Sequence, residues 1–256
     1  MTQALNLLSR KRETYPDLPV LLWHSVGTIT ILLQEIIEIY GELSPPPNLK
    51  LTSSNRICLV VGLLQCLALH QQTRQEFLKA HIPLFLYPFL NTSTKSKIFE
   101  NLRVTSLGVI GALVKESDPY AITFLMQTEI VPLCLRIMKN GQALSKTVAT
   151  FIIQKILCDE KGLSYICATV ERFFAVSTVL NSMLKELIDN NKEDHRLSKH
   201  IMKCYSRLSE NVQACQVLNK NLPACLKDPP KNMLDEEGKK SYNNLMKNLN
   251  ENSSLR

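Results

Sequence analysis

LLQCLAL at 63–69, VIGALVK at 109–115, IIQKILC at 152–158 and MKCYSRL at 202–208 repeat one pattern, and that pattern decides the fold. They begin 46, 43 and 50 residues apart. Later segments keep the register: HIPLFLYPFL at 81–90, EIVPLCLRIM at 129–138 and ERFFAVSTVL at 171–180. Pro83 and Pro132 each fall near an expected helix start, where a missing N–H costs little. A period in the forties, built from two or three short helices, marks an armadillo or HEAT solenoid. No single unit can bury its apolar face, so neighbours stack into one continuous core.

Outside these segments apolar residues also recur every three or four positions, as in Leu32, Leu33, Ile36, Ile37 and Tyr40, or Leu107, Ile110, Gly111 and Val114. No run alternates apolar with polar. Breaks are expected at Ser44-Pro45-Pro46-Pro47, Asp118-Pro119, Asn140-Gly141, Lys161-Gly162 and Asp228-Pro229-Pro230. The fold class is therefore expected to be all-α. Composition agrees: of 256 residues 45% are hydrophobic but only 6% aromatic, and 8 Gly are too few for a many-turned β fold or a Gly-rich phosphate cradle. From Pro229 onward the chain is rich in Asn, Lys and Ser, with Leu234, Leu245 and Leu249 as sparse apolar points. The expected division is a repeat domain over 1–228 and a polar cap or tail over 229–256.

The longest apolar stretch, LVVGLLQCLAL at 59–69, is 11 residues. A bilayer span needs about 20, so it reads as a buried helix and no membrane association is expected. At the N-terminus basic residues follow a short apolar patch, the reverse of a secretory signal. Eight Cys lie scattered without a CxxC, mostly inside helical patterns where Cys acts as a small hydrophobe. This suits a reducing compartment, and a cytoplasmic protein with a nuclear pool is expected.

No catalytic constellation emerges: GxSxG, GxxxxGK[ST] and HExxH are all missing. His195 and His200 are five apart and diverge by roughly 140° on a helix. Cys204 shares a face with His200, but a second ligand pair for zinc is lacking. Neither enzyme activity, nor a metal, nor a cofactor is expected. The net charge of +7 permits an anionic partner. Arg56, Arg103, Lys146 and Arg196 each precede their repeat's core segment by six or seven residues, an offset that suggests a column of cations along one face. Near helix starts, cations oppose the helix dipole by roughly 0.3–1 kcal/mol, a recurrent cost that hints at a negatively charged ligand.

PDLPVLLWHSVGTITILLQEI (16–36), AHIPLFLYPFLNT (80–92), LRVTSLGVIGALVK (102–115), TEIVPLCLRIM (128–138) and LSKTVATFIIQKIL (144–157) strongly resemble the Rcd-one-like family, "required for cell differentiation". Its members are the armadillo-repeat subunit nine, or Caf-forty, of the CCR4–NOT deadenylase complex. The resemblance runs from about Leu8 to Asp228. It implies a right-handed superhelical solenoid of about five to six armadillo repeats, from which this chain is expected to depart by a shortened N-terminal helix. It also implies a non-enzymatic adaptor that docks on the large scaffold subunit and recruits regulators of mRNA deadenylation, decay and translational repression.

Three surfaces of the family carry over where residues match. Scaffold docking would involve His24, Val26, Thr30 and Ile37, with Val26 in place of a usual Phe and Thr30 in place of Ala. A groove for short helical peptides of RNA-binding regulators would include Gly108 and Val148, Asn101 replacing a family Tyr. Pockets for Trp side chains of silencing proteins keep Arg172, but Val170 stands for Tyr, Gln213 for Arg and Val217 for Ala. Losing an aromatic wall and a cation should weaken Trp binding by a few kcal/mol, so that activity is expected to be reduced or lost. These departures suggest a divergent paralogue. Two rivals stay open: a basic nucleic-acid-binding module, expected to be weak, and a paralogue that keeps the fold but has lost partner sites. A homodimer is also left open.

Overall fold

A computed structural model describes residues 2–190, 194–227 and 233–253, the side chains of 252 and 253 excepted; only helices and their connections occur among them. The chain forms two compact units, Met1–Phe124 and Leu125–Arg256. The first contains α1 (Thr2–Lys11), α2 (Leu18–His24), α3 (Thr28–Glu38), α4 (Tyr40–Leu43), α5 (Leu51–Leu69), α6 (Gln71–Lys79), a 3-10 turn (Ile82–Leu86), α7 (Tyr87–Leu90) and α8 (Lys97–Val114). The chain passes to the second unit within α9 (Pro119–Met126). There follow α10 (Ile130–Asn140), α11 (Ala143–Cys158), α12 (Glu160–Cys167), α13 (Val170–Asp189), α14 (His195–Leu208), α15 (Val212–Lys220), α16 (Ala224–Lys227) and α17 (Glu236–Ser253).

Every copy of the repeated seven-residue pattern falls at the C-terminal end of a long helix, α5, α8, α11 or α14, with Lys115 as the residue just after α8. These are the third helices of successive three-helix repeats. Within the first unit α5 packs on α8 and on α1; within the second, α14 packs on α11 and on α17. The seams are dry: Ile57, Val60, Val61, Leu63, Leu64 and Leu67 of α5 are fully buried, as are Leu107, Val109, Ile110 and Leu113 of α8. Each such side chain contributes roughly 1.5–3 kcal/mol by leaving water.

The apolar stretch at 59–69 belongs to a longer helix than expected. α5 starts at Leu51, and with 19 residues it is long and apolar enough by length and composition to cross a membrane. Half of that window is buried inside the protein, where its apolar side chains meet α1 and α8.

Helix starts differ along the chain, and α10 and α11 of the second unit lack a side-chain cap. Later in that unit, Asp159, Thr169, Asp194 and Asn211 accept hydrogen bonds from the backbone N–H groups of α12, α13, α14 and α15, each worth about 1 kcal/mol. In the first unit, α2, α3, α5 and α6 have no such side-chain cap and rely on packing. The expected break at Lys161-Gly162 is a correction: both residues lie in the first turn of α12. The chain turns instead at Asp159, whose carboxylate takes the N–H of Lys161 at 2.9 Å and of Gly162 at 3.1 Å. Gly162 is needed for close approach, not for a turn.

The Asp228-Pro229-Pro230 break and the boundary at 228/229 lie outside the described residues. Beyond them α17 packs on α14 and α15, with Met233, Leu234, Leu245 and Leu249 buried. It takes the place of one more third helix.

Candidate binding surfaces

α2 and α3 form a helical hairpin whose turn is made by Gly27 at φ 78°, a left-handed conformation that costs glycine nothing. Leu18, Leu22, Leu32 and Ile36 face inward. Glu35 is buried too, and its Oε2 lies 3.0 Å from Arg56 Nε, fastening α3 to α5. The opposite side is apolar and open. Leu21 is 63% exposed, Val26 103%, Ile31 43% and Ile37 47%. His24 and Thr30 are exposed on the same hairpin, so all four docking positions named from the sequence face solvent. Leu21 and Ile31 were missed, although each is an apolar residue one position off the buried stripe. Ile37, grouped by spacing with the apolar face of α3, lies outside the core.

The exposed edges of the third helices offer a second kind of surface. In the first unit, Asn101, Thr105 and Gly108 follow one another at successive turns of α8. The Thr105 hydroxyl donates to the Asn101 carbonyl at 2.7 Å and approaches Cys58 Sγ at 3.6 Å. A Cβ on Gly108 would meet only the amide end of Gln65, at 3.4 Å, so the backbone of α8 is open to close approach there. In the second unit Val148 is half-buried on α11, in line with Leu144, Phe151 and Lys155 at helical spacing. Phase alone would have found these three.

Phe151 packs edge-on against His200 of α14, centroids 5.6 Å apart, and His200 Nδ1 lies 2.6 Å from Gln154 Oε1. Burial, helped by the charges of Lys199, Arg196 and Lys203, lowers the imidazole pKa to about 4. His200 is thus neutral when folded, while the unfolded chain takes up a proton below about 6.5. Stability is therefore full above that value and falls as pH drops from about 6.5 towards 4. Urea midpoints measured across this window should show that slope, and His200→Gln should flatten it.

The cation column does not survive as a solvent-facing feature. Arg103 is 4% exposed, with Nη1 2.5 Å from Glu100 Oε2 and Nη2 donating to the carbonyls of Thr92 at 2.9 Å and Thr94 at 3.1 Å. Arg56 is held by Glu35 and by Glu38 at 3.9 Å, and Lys146 Nζ lies 2.6 Å from Glu186 Oε2. Arg196 alone of the four is exposed with no ion pair among the described residues. A constant offset from the core segment fixes the turn of the helix, but one residue more or less swings a side chain by about 100°.

Val217 lines a pocket of about 120 Å³ with Phe173, Phe174, Tyr205 and Pro223. Val170 and Gln213 are exposed about one turn earlier on α13 and α15. The Arg172 guanidinium stacks 4.0 Å from the centre of the Tyr165 ring and donates to the Tyr165 carbonyl at 3.3 Å. The retained cation is thus engaged within the protein.

No group of three or more His, Cys, Asp or Glu converges as metal ligands among the described residues. The eight cysteines are free thiols. Cys134, Cys204 and Cys215 are packing residues, and burial pushes the Cys134 thiol up to about 12. Cys158, expected to pack, is exposed at the end of α11.

Comparison with known proteins follows the same lines. Residues 1–249 match the family described as "Cell differentiation family, Rcd1-like". Over 226 residues the chain is 60% identical to the cell differentiation protein rcd1 of Schizosaccharomyces pombe, covering 88% of this chain and 79% of that one. It is 55% identical over 226 residues to protein CAF40 of Saccharomyces cerevisiae, covering 88% of this chain and 60% of that one. Among solved structures, a designed armadillo repeat protein in complex with the peptide (KR)4 superposes with a TM-score of 0.69 at 14% identity, covering 96% of this chain and 92% of the other. That likeness shows an armadillo-repeat fold.

Proposed function

We propose, because the chain belongs to the Rcd1-like cell differentiation family, that it is a non-enzymatic adaptor subunit of the CCR4–NOT complex. In this reading it is docked on the large scaffold subunit by the α2–α3 hairpin, and it brings regulators of mRNA deadenylation to the complex in the cytoplasm, with a nuclear pool. One observation carries the proposal: Leu21, Val26, Ile31 and Ile37 stand exposed on one hairpin whose other side is firmly packed. Apolar side chains kept in water on a rigid support are what a partner helix can bury, and a cluster of them forms the centre of a binding site. Recruitment would use the open edges of the third helices. Gly108 admits a peptide closely, whereas Asn101 offers it an amide in place of a large ring. Trp capture is the weakest element, since Arg172 is already stacked on Tyr165. Nucleic-acid binding loses its sequence argument once Arg56, Arg103 and Lys146 are seen paired to carboxylates.

The test is co-purification with the scaffold fragment. Ile31→Glu with Ile37→Glu is expected to weaken that complex by about 100-fold or more, because two charges would be buried unpaired. Gly108→Trp should leave scaffold binding intact and abolish binding of regulator peptides, since its Cβ meets only the end of Gln65 and the ring would stand where a peptide must approach. A wild-type chain that folds, as judged by far-UV circular dichroism, yet fails to co-purify with the scaffold would defeat the proposal.

A further inference from the structure

α14 presents Arg196, Lys199, Lys203 and Arg207 at helical spacing, all at least partly exposed. Like charges three and four apart repel, and cations in the first turn oppose the helix dipole. A helix built this way asks for anions laid along it. Arg207 is answered locally by Glu160 at 2.8 Å and by Glu210. Lys199 and Lys203 are answered from elsewhere in the chain, by the acidic start of α17. Lys199 Nζ lies 3.4 Å from Asp235 Oδ2 and 3.2 Å from Glu237 Oε2, and Lys203 Nζ pairs with the other oxygen of Glu237. Arg196, one turn away, has no carboxylate partner among the described residues.

The body of α17 is anchored further along. Leu245 and Leu249 are buried, the Asn248 amide donates to Ser209 Oγ at 2.9 Å, and Asn219 donates to the Leu249 carbonyl at 3.0 Å. At the acidic end the contact is different in kind. Met233 and Leu234 tuck in, but the ion pairs themselves lie at the surface, with the Glu237 side chain 55% exposed. Ion pairs in that setting are weak and screened by salt. They can be exchanged for others without unseating the helix.

We propose that the cationic face of α14 is a docking surface for an acidic peptide segment of a partner protein, and that Asp235 and Glu237 are its built-in competitor. Charge complementarity identifies the occupant. Two carboxylates two residues apart already bridge Lys199 and Lys203, and a longer acidic segment would add Arg196, which the competitor leaves unpaired. Tethering makes the internal ligand effective, since its local concentration is of the order of millimolar. The surface is independent of the α2–α3 hairpin, so this inference and the adaptor reading can fail separately.

The experiment uses the full chain and a fluorescein-labelled peptide of about a dozen alternating Asp and Glu residues, read by anisotropy at low salt. Asp235→Asn with Glu237→Gln should raise its affinity by about 10-fold, and the gain should vanish as salt rises to about 300 mM. Adding Lys199→Gln and Lys203→Gln should return binding to the wild-type level. In the wild-type chain, saturating peptide should speed amide exchange at 236–240 while leaving 245–250 protected. Unchanged affinity in the double variant overturns the proposal, as does a gain that survives loss of both lysines. An RNA oligonucleotide of equal charge that binds the double variant in preference to the peptide overturns the assignment of the occupant. If the fourfold variant fails to fold, the exchange measurement on the wild type decides.

Discussion

Arg103→Ala is expected to cost about 3–5 kcal/mol of stability, because it leaves the buried Glu100 carboxylate without its counter-charge. The Arg103 guanidinium also gathers the carbonyls of Thr92 and Thr94, so it ties the 91–96 connection to the start of α8. Truncation therefore orphans a charge and two backbone acceptors together, and one oxygen of Glu100 already lacks a hydrogen-bond partner. The size of the loss comes from the stranded partner rather than from the attraction of the pair. Replacing both residues by apolar ones of similar volume should consequently cost far less than Arg103→Ala alone. Urea unfolding followed by far-UV circular dichroism checks both. A single variant within about 1 kcal/mol of wild type would show that the site rehydrates and that the burial is unimportant.

The second large effect is expected at Gly162. A Cβ there would sit 1.9 Å from the backbone oxygen of Ile156 and 2.8 Å from its carbonyl carbon. Those atoms belong to the last turn of α11, whose side chains Ile152, Ile153, Ile156 and Leu157 are fully buried, so the obstacle cannot retreat. α12 must move instead, and moving its first turn pulls Lys161 and Gly162 off the Asp159 cap. Overpacking and a lost cap together put Gly162→Ala at about 3 kcal/mol. Gly41→Ala is the control: nothing lies within 4 Å of its Cβ position, and it should be neutral or slightly stabilising. Thermal midpoints of the two variants, compared with wild type, test the contrast.

These two positions also show what the sequence could and could not reveal. The repeat was legible because its signal is redundant: four helices of 14 to 19 residues, ending in the same apolar pattern, survive any single misreading. Side-chain direction has no such redundancy. Arg103 and Lys146 share an offset from their core segments, yet one is buried under the 91–96 connection and the other reaches Glu186 on α13. Gly162 was read as a break because glycine often marks one, while its real role depends on a neighbouring backbone that only tertiary structure supplies. On the α2–α3 hairpin the four positions named from the sequence are all exposed. Leu21 and Ile31 are exposed beside them but were not named, because an apolar residue is expected to lie inside and only the tertiary fold shows which of them do not. The pairing of α14 with the start of α17 was unreadable for another reason, since Lys199 and Asp235 meet across 36 residues of chain with no pattern linking them.

α17 has one further consequence. Its outward positions are Lys239, Lys240, Asn243, Asn244, Lys247, Asn250 and Glu251, all exposed and all strongly hydrated. A stack of like units could in principle grow by adding a second molecule end to end, as filaments do. This helix offers such a neighbour no greasy seam, only water that would have to be stripped from charges and amides. The same element that packs on α14 and α15 therefore turns a water-loving face, rather than an apolar seam, towards any second copy.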